Sequence, residues 1–205
     1  MKGTEVFLDF VRERRSIRKF SMDPIPWETL RQIIEAATWA PSASNRQDWE
    51  FTVITSQATK EKMEEIVRSH WKSILSEGKN DVIADELQRY TENFAWFAHA
   101  PVLIVIAAKR AEAFLCQMLG DAAEDVAGTS ISAAMAAQNL MLAAHASGIG
   151  SCCVTGPLAA QEALKELLGI GKRRKIVCLI ALGYSAEQPK TPVRKPVEKI
   201  TKHIE

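Results

Sequence analysis

The sequence predicts an α+β fold in one domain spanning residues 1–205. Three features predict it. Val102-Leu103-Ile104-Val105-Ile106 follows Pro101 and has no polar face, the pattern of a strand buried on both sides. Residues 129–147 are Ala-rich almost all round, with Met135, Leu140, Met141 and Leu142 added. A helix apolar on every side is surrounded by protein, so this one is either the central helix of the domain or packs against a second copy. Finally, no linker parts two hydrophobic blocks and no repeat is visible.

The other elements follow in order. Phe7, Phe10 and Val11 fall at helical spacing, which predicts a short amphipathic helix over residues 4–14. Pro24 and Pro26 break what comes next, and Pro26 suits the first turn of a second helix with Leu30, Ile33, Ile34 and Ala37 on its apolar face. That helix stops near Trp39-Ala40, because Pro41 disfavours helical geometry in the residue before it. Phe51 to Thr55 reads as a strand, residues 58–77 as a solvated helix, and residues 80–98 as a helix carrying Tyr90, Phe94, Trp96 and Phe97. After the buried strand and the Ala-rich helix, Gly148 and Gly150 mark a stop. Ser151 to Thr155 is a short strand, residues 159–168 a short helix and Ile176 to Leu182 the last core strand. The arm at about 185–205, with Pro189, Pro192 and Pro196, must find something to lie on.

Composition excludes several functions. Apolar residues make up 47% and charged residues 25%, the balance of a globular domain. With 26 basic and 25 acidic residues the formal charge is +1, so no broad positive field draws in nucleic acid. The longest apolar run, Ala100 to Ala108, is far short of the roughly 20 residues of a membrane helix. Met1 to Phe10 carries Glu5 and Asp9 and does not read as a signal peptide, so a cytoplasmic location is expected. Cys116, Cys152, Cys153 and Cys178 lack metal-ligand spacing and read as reduced core residues; no metal site is expected.

Familiar catalytic motifs fail. Gly148-Ile149-Gly150 and Gly169-Ile170-Gly171 are not completed to a dinucleotide-binding fingerprint. No Walker A loop or nucleophile elbow is present, and His70, His99, His145 and His203 are scattered. The basic cluster Arg14-Arg15-Ser16-Ile17-Arg18-Lys19 stands out. If extended, it puts Arg14, Ser16 and Arg18 on one side, a set suited to a phosphate; the alternative is a helix end whose cations complement the macrodipole. Arg194-Lys195-Pro196 is a second cationic element or a solvated tail. Pro41-Ser42-Ala43-Ser44-Asn45 offers hydroxyls and free amides, or simply connects helix to strand.

These pieces occur together in an order that resembles the nitroreductase family of FMN flavoenzymes. The resemblance rests on R-R-S-I-R-K-F, P-I-P-W-E-T-L-R-Q-I-I-E-A-A and A-P-S-A-S-N-R-Q-D-W-E-F-T-V-I, then on H-A-P-V-L-I-V-I-A-A, G-I-G-S-C-C-V-T-G and I-A-L-G-Y…P-V-R-K-P. It covers roughly residues 10–200 and is most specific at its start; about 60–125 is the variable, lid-like region. Asp48 stands where a proline is common in the family. The resemblance implies a mixed, mainly antiparallel central sheet flanked by helices, and an intertwined homodimer whose C-terminal tail crosses to the partner. It implies that Arg14 and Ser16 hold the FMN phosphate with Arg15 beside them, and that Arg194 closes on it. Arg18 would reach the pyrimidine end of the ring, Asn93 its pyrimidine edge, and Thr155 and Gly156 the neighbourhood of N5. Pro41, Ser42, Ala43 and Asn45 would approach the same flavin from the other subunit.

The implied activity is ping-pong transfer of hydride from NADH or NADPH to a nitroaromatic, quinone or other small acceptor, with no protein nucleophile. Trp71, Tyr90, Phe94, Trp96 and Phe97 would shape the acceptor pocket or simply pack helices. The alternatives are a specialised flavin enzyme, either a reductive dehalogenase or one that fragments flavin, and a non-catalytic flavin-binding protein of the same fold.

Overall fold

The computed structural model describes residues 2–77 and 96–205. Helix α1 (Lys2–Glu13) leads into the basic segment, and α2 (Trp27–Thr38) follows. Pro26 caps α2 from outside the helix. The helix ends at Trp39, whose N–H returns to the Ala36 carbonyl while Ala40 N–H returns to that of Ala37, just ahead of Pro41. Strand β1 (Trp49–Ile54), helix α3 (Gln57–Glu77), a 3-10 turn (Trp96–His99) and strand β2 (Val102–Lys109) come next. Then come α4 (Ala113–Leu119), α5 (Ala123–Ala127), α6 (Thr129–Ala146), β3 (Gly150–Val154), α7 (Gln161–Leu168) and β4 (Arg174–Gly183).

The four strands form one sheet in the order β1-β2-β4-β3, with every ladder antiparallel. Strand β2 is buried along all but its last residue, as its unbroken apolar run requires. Val102, Ile104, Ile106 and Ala108 pack with α2 and α6 on one face; Leu103, Val105 and Ala107 pack with Met63 and Val67 of α3 and Leu164 of α7 on the other. The result is three layers, helices on both sides of a sheet. The register slips between Ile106 and Ala107, which leaves Val177 of β4 unpaired as a bulge.

Helix α6 is the central helix of the domain, the first of the two readings of its composition. Ala133, Ala136, Ala137, Leu140 and Ala144 are buried, their small side chains letting the helix lie close to the sheet. Its other side leaves Ile131 56% and Met135 44% exposed. Lys60 of α3 is buried, and its ammonium donates to the Ala100 carbonyl at 2.6 Å and the Pro101 carbonyl at 3.2 Å, fixing α3 to the start of β2. Burial pushes this amine below the usual lysine range.

Beyond Ser185 the chain is an arm. Residues 191–205 are exposed throughout, among them Val193, Val197, Ile200 and Ile204. The sequence reading did not find α4 and α5, which are short and have no clear period. The cysteine expectation needs correction: Cys152 and Cys178 are buried, but Cys116 and Cys153 are exposed. Cys153 lies on the edge strand β3, where only one neighbour covers it. Tyr90, Asn93 and Phe94 fall outside the described residues.

Candidate functional site

The basic segment does not dangle from α1; it lies across one end of the sheet. Ser16 forms a parallel bridge with Ser151 of β3, Ile17 N–H donating to the Ser151 carbonyl at 3.0 Å, and Phe20 forms an antiparallel bridge with Ser185. The parallel bridge makes the sheet mixed at its edge. Two glycines make room for this crossing. Gly150 and Gly183 are register partners in the β3–β4 ladder. A Cβ on Gly150 would stand 2.9 Å from Ile17 Cγ1, and one on Gly183 would stand 2.8 Å from Phe20 Cδ1.

Extended geometry then sorts the side chains. Burial raises the thiol of Cys152, and the nearby positive charges of Arg18 and then Arg14 work against that rise, so both guanidinium groups bear on the same buried side chain. Arg15 turns away. Its guanidinium donates to the carbonyls of Arg12 and of Arg14, the latter at 2.8 Å, and to Thr191 Oγ1 at 2.9 Å. Arg15 thus caps the end of α1 and ties the arm to it.

Two cavities flank Arg14 and Arg15. The larger, about 570 Å³, is lined by Arg12, Glu13, Arg14, Arg15, Thr191 and Arg194, among others. The smaller, about 300 Å³, is bounded by Arg14, His145, Gly148 and Ser151, among others. Arg12 is engaged by Asp9 at 3.0 Å. Among the described residues, no ion pair uses Arg14, Arg15, Arg18 or Arg194. Ser151 is 2% exposed, yet its hydroxyl has no hydrogen-bond partner among the described residues. A buried hydroxyl without a partner is costly, and one beside uncompensated guanidinium groups suits an anion with several acceptor oxygens.

At the far end of β3, Thr155 and Gly156 open a 3-10 turn. The first N–H groups of such a turn are not used within it. Trp71 of α3 donates its indole N–H to the Gly156 carbonyl at 3.2 Å, so the lid-like region touches this turn directly.

Residues 41–47 lie elsewhere. Ser42 Oγ accepts from Gln47 N–H at 3.1 Å, and Ala43 N–H donates to Ser132 Oγ at 3.2 Å, near the start of α6. Ser44, Asn45 and Gln47 all have positive φ, at 53°, 53° and 51°. Three such residues without glycine amount to stored strain, which the bonds to α6 maintain. His145, beside Arg14, is on the last turn of the same helix. Thirteen residues separate Ser132 from His145 on α6, roughly 20 Å along the axis. Within one chain, then, the structure brings Arg14, Ser16, Arg18 and Arg194 towards one end of α6 and places Pro41, Ser42, Ala43 and Asn45 at the other.

Sequence reasoning missed two members. Ser151 stood inside a quoted motif, but nothing marked its hydroxyl as unpaired. Glu187 accepts from Arg18 N–H at 2.6 Å and from Lys19 N–H at 3.0 Å across 169 residues of sequence. No local pattern announces such a pair.

Comparison with known proteins identifies relatives over nearly the whole chain. The chain is 30% identical to a protein named NADH dehydrogenase from Thermus thermophilus, over 92% of this chain and 91% of the relative. It is 28% identical to iodotyrosine deiodinase of Hydra vulgaris, over 98% of this chain and 73% of the relative. Among solved structures, a BluB-like flavoprotein from Clostridium difficile 630 superposes with a TM-score of 0.83 at 28% identity, covering 97% of this chain and 99% of that one. Residues 11–184, from the end of α1 to the residue after β4, match the sequence model of the nitroreductase family, and the chain is a member of that family.

Proposed function

We propose that the chain is an FMN-dependent oxidoreductase that works as a homodimer. The observation that carries this reading is that Arg14 and Arg194 line one cavity, with no carboxylate paired to either among the described residues, beside a segment that bridges β3 at Ser16. Bound FMN would supply the redox chemistry, accepting hydride from NAD(P)H and passing it by ping-pong turnover to a nitroaromatic, quinone or other small acceptor.

The residues then have separate duties. Arg14, Ser16 and Arg194 would hold the phosphate, with the unpaired Ser151 hydroxyl as a further donor. Arg15 would keep the arm in place through Thr191. Arg18 would place positive charge at the pyrimidine end, favouring the form in which charge accumulates there. The Gly156 N–H would fix the ring edge, while Trp71 holds that turn from behind. Asn93 belongs to the same proposal by family resemblance.

Two features support the homodimer. The strained loop lies too far along α6 to reach the same mononucleotide within one chain, so Pro41, Ser42, Ala43 and Asn45 would come from the partner. The exposed apolar side chains of α6 and the arm would be covered in the same assembly. The test is direct: the purified protein should be yellow, absorb near 450 nm as flavins do, and bleach anaerobically on addition of NADH or NADPH. Colourless protein that ignores added FMN would refute the proposal.

A second reading has support of its own. Similarity to an iodotyrosine deiodinase and to a BluB-like flavoprotein favours a specialised flavin reaction. Release of halide from a halogenated tyrosine, or loss of FMN itself under oxygen, would select it over nitroaromatic reduction.

A further inference from the structure

We propose that Glu187 is the positioning residue that sets Arg18 against the flavin; the inference rests on the flavin reading above. The segment crossing the sheet end is anchored at its edges. Ile17 N–H is taken by the Ser151 carbonyl at 3.0 Å, Ser21 N–H by the Tyr184 carbonyl at 2.9 Å, and the Lys19 carbonyl accepts from Ala186 N–H at 2.9 Å. Between those anchors, Arg18 and Lys19 have no strand to bond with. One oxygen of Glu187 takes both N–H groups, at 2.6 and 3.0 Å.

The backbone of Glu187 is itself held. Ser185 Oγ donates to the Glu187 carbonyl at 2.6 Å and accepts from Glu187 N–H at 3.3 Å, which closes a tight turn at the root of the arm. Glu187 therefore reaches the segment from a fixed base. Two successive amides converging on one anion define the backbone from which the Arg18 side chain leaves, and charge assistance makes each bond stronger than a neutral one. The guanidinium of Arg18 then returns towards the Ser16 carbonyl, 3.4 Å away, on the side of the proposed site.

The charge balance argues against an incidental role. The segment carries Arg14, Arg18 and Lys19, and the arm carries Lys190, Arg194 and Lys195. A carboxylate near a bound phosphate repels it, so an acid here weakens binding unless it organises the cations around it. Glu187 accepts its hydrogen bonds from backbone donors and, among the described residues, none from a guanidinium group.

The experiment is a double-mutant cycle on the holoprotein, with flavin midpoint potential and FMN dissociation constant measured for the natural protein, Arg18→Ala, Glu187→Gln and the double variant. Glu187→Gln keeps the shape and removes the charge. It should lower the midpoint in the same direction as Arg18→Ala and weaken FMN binding by about 3- to 10-fold. In the Arg18→Ala background its effect on midpoint should vanish. If Arg18→Ala shifts the midpoint while Glu187→Gln does not, or if Glu187→Gln shifts it equally in both backgrounds, the positioning role is wrong and the flavin reading stands. If Arg18→Ala itself leaves the midpoint unchanged, the role given to Arg18 fails and this proposal falls with it.

Discussion

Gly150 and Gly183 face each other across the β3–β4 ladder, and the missing side chains of the pair form the seat on which Ile17 and Phe20 rest. The basic segment occupies that seat, so the site depends on a packing detail of the sheet. Substituting Gly150→Ala places a methyl 2.9 Å from Ile17 and 3.1 Å from the Gly183 carbonyl. The expected cost is about 1–3 kcal/mol. Denaturant unfolding should show it, and FMN retention should fall more than stability alone explains, because the displaced segment carries Arg14 and Arg18.

Arg14→Ala should weaken FMN binding by about 10- to 100-fold while the fold persists. Among the described residues Arg14 gives one donor, to the Arg15 carbonyl at 3.2 Å, so truncation leaves little unsatisfied there. Quenching of flavin fluorescence during titration of the apoprotein measures the change, and circular dichroism checks the fold. Unchanged affinity would reject the phosphate assignment.

Ser132 connects α6 to the strained loop: its hydroxyl accepts from Ala43 N–H at 3.2 Å and donates to the Gly128 carbonyl at 2.8 Å. Ser132→Ala should destabilise the chain by about 1–3 kcal/mol, since Ala43 N–H loses its buried acceptor. If the loop serves the partner's cofactor, FMN affinity should also fall although no residue of the proposed phosphate site has changed. Thermal unfolding with and without excess FMN separates the two effects.

The Glu187 carboxyl titrates below the usual carboxylate range, chiefly because Arg18 N–H and then Lys19 N–H bond its ionised form, with both side-chain charges adding to the effect. A depressed folded value means that its contribution to stability is complete above the unfolded pKa of about 4.3 and fades as pH falls through the folded value. The part of FMN occupancy that depends on Glu187 should therefore hold from neutrality down to about pH 4.3 and decline only below it, as pH falls through the depressed folded value. Glu187→Gln should remove this component of the acid decline. An identical acid limb in both proteins would show that another group governs it.

The sequence showed the elements whose period or composition is strong. The run Val102 to Ile106 could be little other than a buried strand, and Pro26 and Pro41 bracketed α2 to within two residues. The basic cluster was visible, and so was its alternation. Its division was not: that Arg15 serves the helix end and the arm depends on Thr191, 176 residues away. The unpaired hydroxyl of Ser151 and the reach of Glu187 are likewise three-dimensional facts. Helices α4 and α5 were missed because their few turns carry too little pattern, and Cys153 was misplaced because an edge strand leaves one flank open.

Arg15 and Thr191 bring together stretches of chain made at very different moments of synthesis. The segment with Arg14 and Arg18 leaves the ribosome long before Arg194 does. If the cofactor site uses both, it is complete only once Arg194 has been made, and chains cut short before that residue should hold FMN more weakly however well their cores have formed.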